Sequence, residues 1–172
     1  VSNISEEMIT VYHQYEKGLI STDEFVNFYH QKFNISYESL KNAWNAILLD
    51  FPETRLAFLK ELAESKKYRL FLLSNTNDLH ISWIQDNWGM ELYNEFKNYF
   101  EKFYLSHEIN FRKPDNNIYE FVLRENKLVA EETLFVDDLE INTEAAKSLG
   151  INVWNLIPGK EDVVELFTKN QL

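Results

Sequence analysis

Three short polar stretches of this sequence hold residue types suited to handling a phosphate group: Ser74-Asn75, Lys113 and Asp137-Asp138. A hydroxyl beside an amide can hydrogen-bond phosphate oxygens. A lysine ammonium can neutralise developing negative charge, and two adjacent carboxylates offer hard oxygen ligands to a magnesium ion. Singly, each has a plainer explanation. Taken alone, Asp137-Asp138 reads better as an acidic helix start, Ser74 as a turn former and Lys113 as a solvated surface cation. Jointly they favour a phosphate and magnesium site, because each follows an apolar strand at its carboxyl end or sits just beyond one.

The elements that must position them can be read from periodicity. Leu134 to Val136 is a short apolar run of the kind found in parallel strands covered on both faces. Ile141, Ala145 and Leu149 then recur at helical spacing, and Gly150 supplies a C-terminal stop. In open parallel sheets, ligands bind beyond the carboxyl ends of the strands, which is where Asp137 and Asp138 fall. Tyr68 to Leu73 reads as a strand leading into Ser74-Asn75-Thr76-Asn77, with two helices over roughly 78–98. Lys102 to Leu105 is a further strand, and Lys113-Pro114 opens a helix carrying Ile118, Phe121 and Val122. Asn152 to Leu156 is the last strand, and Glu161 to Phe167 a closing helix. Strands alternating with helices predict an α/β fold with a doubly wound parallel sheet.

Residues 1–50 differ, reading as helices throughout. Ile4-Ser5 forms a staple and N-cap ahead of Met8, Ile9, Tyr12 and Tyr15, with a stop at Gly18. Ser21 and Glu24 make a capping box before Phe25, Phe28 and Tyr29. Ser36 caps a third helix in which Leu40, Ala43, Trp44, Ile47 and Leu48 share a face. The aromatic stripes are read first as core packing. Pro52 fits the first turn of the next helix, whose apolar face is Leu56, Leu59 and Ala63.

Composition excludes several function classes. The 172 residues are 45% hydrophobic, enough for one sizeable domain or a domain with a small appendage. With 17 basic against 28 acidic residues, net charge −11 and no Lys/Arg cluster, the chain argues against nucleic acid as a partner. It contains no cysteine, which rules out disulfides, thiolate nucleophiles and cysteine-bound zinc and fits a cytoplasmic protein. No signal peptide or apolar run of membrane-spanning length is expected. His13, His30, His80 and His107 share no metal-ligand spacing. No Gly-x-Gly-x-x-Gly marks a dinucleotide site, and no glycine-flanked elbow surrounds Ser74.

With these motifs in order, the chain resembles the haloacid dehalogenase (HAD) superfamily of hydrolases over nearly its whole length. Leu72-Leu73-Ser74-Asn75 is similar to the family's second motif and Lys113-Pro114-Asp115 to its third. Phe135-Val136-Asp137-Asp138, with Asn142 and Ala145-Ala146, is similar to its fourth. The resemblance implies a HAD-like, Rossmann-like core over 51–172 and an N-terminal helical cap subdomain over 1–50 that closes over the substrate. It further implies that Ser74, assisted by Asn75, binds the transferring phosphoryl group, that Lys113 stabilises it, and that Asp137 coordinates Mg2+ with Asp138 beside it.

The family's first motif, an apolar strand ending in Asp-x-Asp that supplies the nucleophile and the general acid-base, has no counterpart in these residues. Asp50 is rejected as a substitute, because Pro52 holds the place of the second aspartate and the residues before it are helical in period. The expectation is a chain that begins inside the cap, lacks the central strand of its core and is inactive alone. The activity expected of the intact protein is magnesium-dependent hydrolysis of a small phosphorylated metabolite through an aspartyl-phosphate. A non-catalytic phosphate- and metal-binding protein is the first alternative and a 2-haloacid dehalogenase the second. Either a monomer or a homodimer is compatible with the sequence.

Overall fold

The computed structural model describes residues 6–169, so the staple and cap expected at Ile4-Ser5 lie outside the described residues. The chain divides into two compact units, one ending at Arg112 and the other starting at Lys113. No described helix is long and apolar enough to cross a membrane.

The first unit opens with three helices, α1 (Glu6–Glu16), α2 (Thr22–Phe33) and α3 (Tyr37–Asn45). Local chemistry sets their ends. Ser21 Oγ accepts from the Glu24 amide at 3.2 Å while Glu24 Oε2 accepts from the Ser21 amide at 2.7 Å, which satisfies two otherwise unpaired donors at the start of α2. Ser36 caps α3 in the expected manner. The faces meet in a core of Tyr15, Phe25, Val26, Tyr29, Leu40 and Leu79. Within it the Tyr15 and Phe25 rings stack at 4.2 Å, and Trp44 meets Phe25 edge-on at 4.6 Å. The third helix stops at Asn45, so Ile47 is largely exposed rather than part of its apolar face.

After α4 (Glu53–Ser65), with Pro52 at its N-cap, comes β1 (Phe71–Ser74), then α5 (Asp78–Trp88), α6 (Met90–Asn98) and β2 (Lys102–Leu105). The strands pair in parallel, with Ser74 opposite Leu105. Strand β1 starts later than the apolar run suggests, although the Leu70 carbonyl already accepts from the Glu101 amide at 2.8 Å. A single turn, α7 (Ser106–Ile109), follows β2 directly.

The second unit holds α8 (Asn116–Asn126), β3 (Leu134–Asp137), α9 (Glu140–Ser148) and β4 (Asn152–Asn155). Strands β3 and β4 pair in parallel through α9, with Asp137 opposite Asn155. The described strands thus form two parallel pairs, one in each unit, with helical crossovers as the sequence predicts for an α/β fold. Three local expectations change. Helix α8 starts at Asn116, because Asp115 occupies its N-cap position. Helix α9 buries Asn142, Thr143 and Ala146, one residue round from the expected face, and leaves Ile141 exposed. The closing helix is reduced to a 3-10 turn at Val163–Glu165, held by a capping box between Asp162 and Glu165.

Candidate phosphate and metal site

Lys113 and Asp137 are brought together in the second unit. Lys113 Nζ donates to Asp137 Oδ2 at 2.6 Å, with the two side chains only 9% and 6% exposed. Strand β3 delivers Asp137 at its last position, and β4 secures the backbone there: the Leu156 amide donates to the Asp137 carbonyl at 3.0 Å and Asn155 Nδ2 at 3.3 Å. The other carboxylate oxygen is held equally firmly. Oδ1 accepts from the Leu139 amide and from Asn142 Nδ2, both at 2.9 Å. A buried carboxylate with an ammonium on one oxygen and two donors on the other has a fixed orientation, since charge-assisted bonds are the strong ones.

Asn142 is itself fixed by Tyr119, whose hydroxyl donates to the Asn142 carbonyl at 2.8 Å. Burial, with the charges of Asp137 and Asp115, pushes the Tyr119 phenol well above its ordinary range, so it stays a proton donor. Its ring meets Phe135 edge-on at 5.4 Å, and Lys113 Nζ lies 5.4 Å from the Phe135 ring centroid. The Lys113 head therefore sits between an aromatic face and a carboxylate.

Asp138 has an exposed side chain. Among the described residues no three acidic or histidine side chains converge as a metal cage. Two adjacent carboxylates nevertheless suit Mg2+, which is bound through one or two of them and completes its shell with water and phosphate oxygens. The donor set contains no thiol or imidazole that would favour a softer metal.

Ser74 and Asn75 belong to the first unit, half-buried at the carboxyl end of β1. The loop they open is pinned. Ser106 is fully buried, and its Oγ accepts from the Thr76 amide at 2.9 Å while donating to the Thr76 carbonyl at 3.0 Å. Asn77, also buried, caps α5 by accepting from the His80 amide at 3.1 Å. His107 Nε2 lies 3.4 Å from Asp78 Oδ1. The backbone carrying Ser74 and Asn75 is thus tied to the end of β2 just after it leaves the strand.

Sequence reasoning missed Thr76, Asn77, Ser106 and Tyr119, and gave Asn142 no role. Asn77 alone carried a local signal, an Asn directly ahead of a helical pattern. Asp50 lies exposed outside any strand or helix, in keeping with its rejection.

Comparison with known proteins gives a consistent result. The family model described as haloacid dehalogenase-like hydrolase matches residues 4–156. A D-ribitol-5-phosphate phosphatase from Bacteroides thetaiotaomicron is 29% identical over 146 residues, covering 84% of this chain and 70% of its own length. The crystal structure of a HAD family enzyme from the same organism, in complex with magnesium and inorganic phosphate, is 38% identical with a TM-score of 0.81, covering 96% of this chain and 84% of that one. A protein from Porphyromonas gingivalis, described as a predicted HAD-like family hydrolase, is 25% identical with a TM-score of 0.82, covering 96% and 82%.

Proposed function

Because the chain belongs to the haloacid dehalogenase-like hydrolase family, we propose that it provides the phosphate- and metal-holding residues of a magnesium-dependent phosphatase acting on a small phosphorylated metabolite. The observation that carries this reading is the buried Lys113–Asp137 pair at the end of β3, with both Asp137 carboxylate oxygens held by hydrogen-bond donors. A buried ion pair is a poor way to stabilise a fold, since apolar side chains of the same volume do as well or better. A site that must present a cation and a carboxylate to a charged ligand has a reason to keep one.

In this reading Ser74 donates its hydroxyl hydrogen to a phosphoryl oxygen, assisted by the Asn75 amide, and Lys113 neutralises the charge that builds on that group. Asp137 and Asp138 hold Mg2+, which when bound would offset the negative charge of the phosphate. Asn142 and Tyr119 keep the Asp137 carboxylate oriented. The helices of residues 1–50 act as a cap that limits access to the site. The phosphatase relative and the magnesium- and phosphate-bound neighbour support this substrate class and metal. These 172 residues contain no Asp-x-Asp that would supply an attacking carboxylate in this reading. That same absence favours, as a second reading, a binding protein that holds phosphate without hydrolysing it.

Calorimetric titration of inorganic phosphate with Mg2+ tests the shared core of both readings. Ser74→Ala and Lys113→Ala should each weaken phosphate binding, and Asp137→Asn should weaken Mg2+ binding. Phosphate affinity indifferent to both Ser74→Ala and Lys113→Ala would sink the assignment. Turnover of an aryl phosphate by the full-length protein separates hydrolase from binding protein.

A further inference from the structure

The residue directly before Lys113 is held by a clasp that reaches across 96 positions of sequence. Arg112 Nε and Nη2 both donate to Glu16 Oε2, each at 2.9 Å, at the last position of α1. The side chains are 13% and 5% exposed. Tyr12, one helical turn earlier, donates its hydroxyl to the other oxygen, Glu16 Oε1, at 2.8 Å, and the Arg112 guanidinium lies 6.0 Å from the Tyr12 ring centroid. Burial and the Glu16 charge raise the Tyr12 phenol well above its ordinary range, so this donor is not lost at neutral pH.

Two further joints act on the same stretch. Asn110 Nδ2 donates to the Lys17 carbonyl at 2.8 Å. Gly18, with φ +63°, lies so close to α7 that a Cβ there would stand 2.1 Å from the His107 carbonyl oxygen. The last residue of α1 and the turn after it, residues 16–18, are therefore fastened to residues 107–112 by an ion pair, a hydrogen bond and a close backbone approach. All of this belongs to the first unit and ends at the residue preceding Lys113.

We propose that Glu16 and Arg112 are positioning residues for Lys113: the clasp between the end of α1 and the residue before Lys113 fixes where that lysine's backbone starts, and so where its ammonium can meet a phosphoryl group. This rests on the phosphatase reading of Lys113. The physical argument is one of degrees of freedom. A lysine has four rotatable side-chain bonds, and an ammonium placed by a loose backbone would be spread over many positions, whereas a stabilising group must be held to a fraction of an ångström. The guanidinium brings two converging donors, Nε and Nη2, onto one carboxylate oxygen, and its rigid planar fork restricts direction as well as distance.

The test compares phosphate affinity with stability in the full-length protein. Glu16→Met combined with Arg112→Met removes both charges and keeps bulk, so the thermal midpoint should stay near or above that of the parent. Inorganic phosphate, titrated with Mg2+, should nonetheless bind roughly tenfold more weakly. Adding Lys113→Ala to this pair should weaken binding no further than Lys113→Ala does alone, because the clasp acts through that lysine. Wild-type affinity in the Met/Met variant, or losses that add, would overturn the proposal and reduce the clasp to packing. If the Met/Met variant does not fold, Arg112→Lys, which keeps the charge but not the two-donor fork, makes the same comparison: weaker binding supports the proposal and unchanged binding overturns it. If Lys113→Ala itself leaves phosphate binding intact, the phosphatase reading fails first, and that result is independent of the clasp variants.

Discussion

Replacing Lys113 by Met removes the ammonium and keeps most of the stem. Asp137 then loses the partner of Oδ2, while Oδ1 keeps the Leu139 amide and the Asn142 side chain. Removing one member of a buried pair costs about 3 to 5 kcal/mol, because the survivor is an uncompensated charge. Two retained donors on Asp137 place the expected loss near the lower end, about 3 kcal/mol. Against a typical total of about 5 to 15 kcal/mol this is a large fraction, and for a chain of this length it corresponds to a fall in thermal midpoint of roughly 6 to 12 °C. Adding Asp137→Asn should restore most of the loss. The amide oxygen can still accept from Leu139 and Asn142, while the charge that made the single variant costly is gone. Urea unfolding followed by circular dichroism measures both, with the slope compared to confirm that the same surface unfolds. A single variant that loses under about 1 kcal/mol, or a double as unstable as the single, would show that the pair behaves as an exposed one and refute the reasoning.

Gly18→Ala should be among the most damaging single-atom additions in the chain, since the new Cβ meets the His107 carbonyl oxygen at 2.1 Å and the backbone is left-handed there; a loss above about 2 kcal/mol by urea unfolding is expected, and a loss under half of that would mean α7 yields freely. Burial lowers the pKa of His80, with the Trp44 carbonyl and Glu16 only partly offsetting it. The folded state therefore disfavours the proton that the unfolded chain takes up near pH 6.5. The stability this group contributes is fully present above that pH and is lost as pH falls through the folded value, so the thermal midpoint of the parent should fall more steeply between pH 7 and 5 than that of His80→Gln. Parallel curves would remove His80 as the cause.

What the sequence made legible was local in sequence. The Ser21–Glu24 capping box and the Ser36 cap involve partners three residues apart, and both stand as predicted. Likewise the apolar runs at β1 and β3 announced their strands, and with them the positions of Ser74 and Asp137. What stayed hidden depends on pairing across distance. Nothing in the neighbourhood of Glu16 marks it as the partner of Arg112, and nothing near Tyr119 announces a bond to Asn142. Helix α9 shows how a pattern can mislead. Ile141, Ala145 and Leu149 make an orderly apolar stripe, yet the buried side is the one with Asn142 and Ala146, because the Asn142 side-chain Nδ2 donates to Asp137 and its backbone carbonyl accepts from Tyr119. A polar side chain that keeps a charge-assisted hydrogen bond can be buried at modest cost, and periodicity counts only hydrophobicity.

The two ion pairs also bear on how so acidic a chain can receive an anion. With 28 acidic against 17 basic residues, its long-range field repels phosphate. At physiological ionic strength, however, charges beyond about 8 Å are largely screened, so the few groups nearest the ligand decide the local potential. Arg112 and Lys113 are consecutive cations, and each is buried against a carboxylate distant in sequence, Glu16 in the first unit and Asp137 in the second. The division between the units falls between these two residues, so each unit holds its own end of the segment by a charged side chain. A carboxylate partner lowers the cost of keeping such a cation out of water. It also reduces the net positive charge that a phosphate would meet at Lys113, which is the physical reason for a magnesium ion on the same carboxylate in the proposed site. The ion would take up the charge of Asp137 and leave the ammonium for the phosphoryl group.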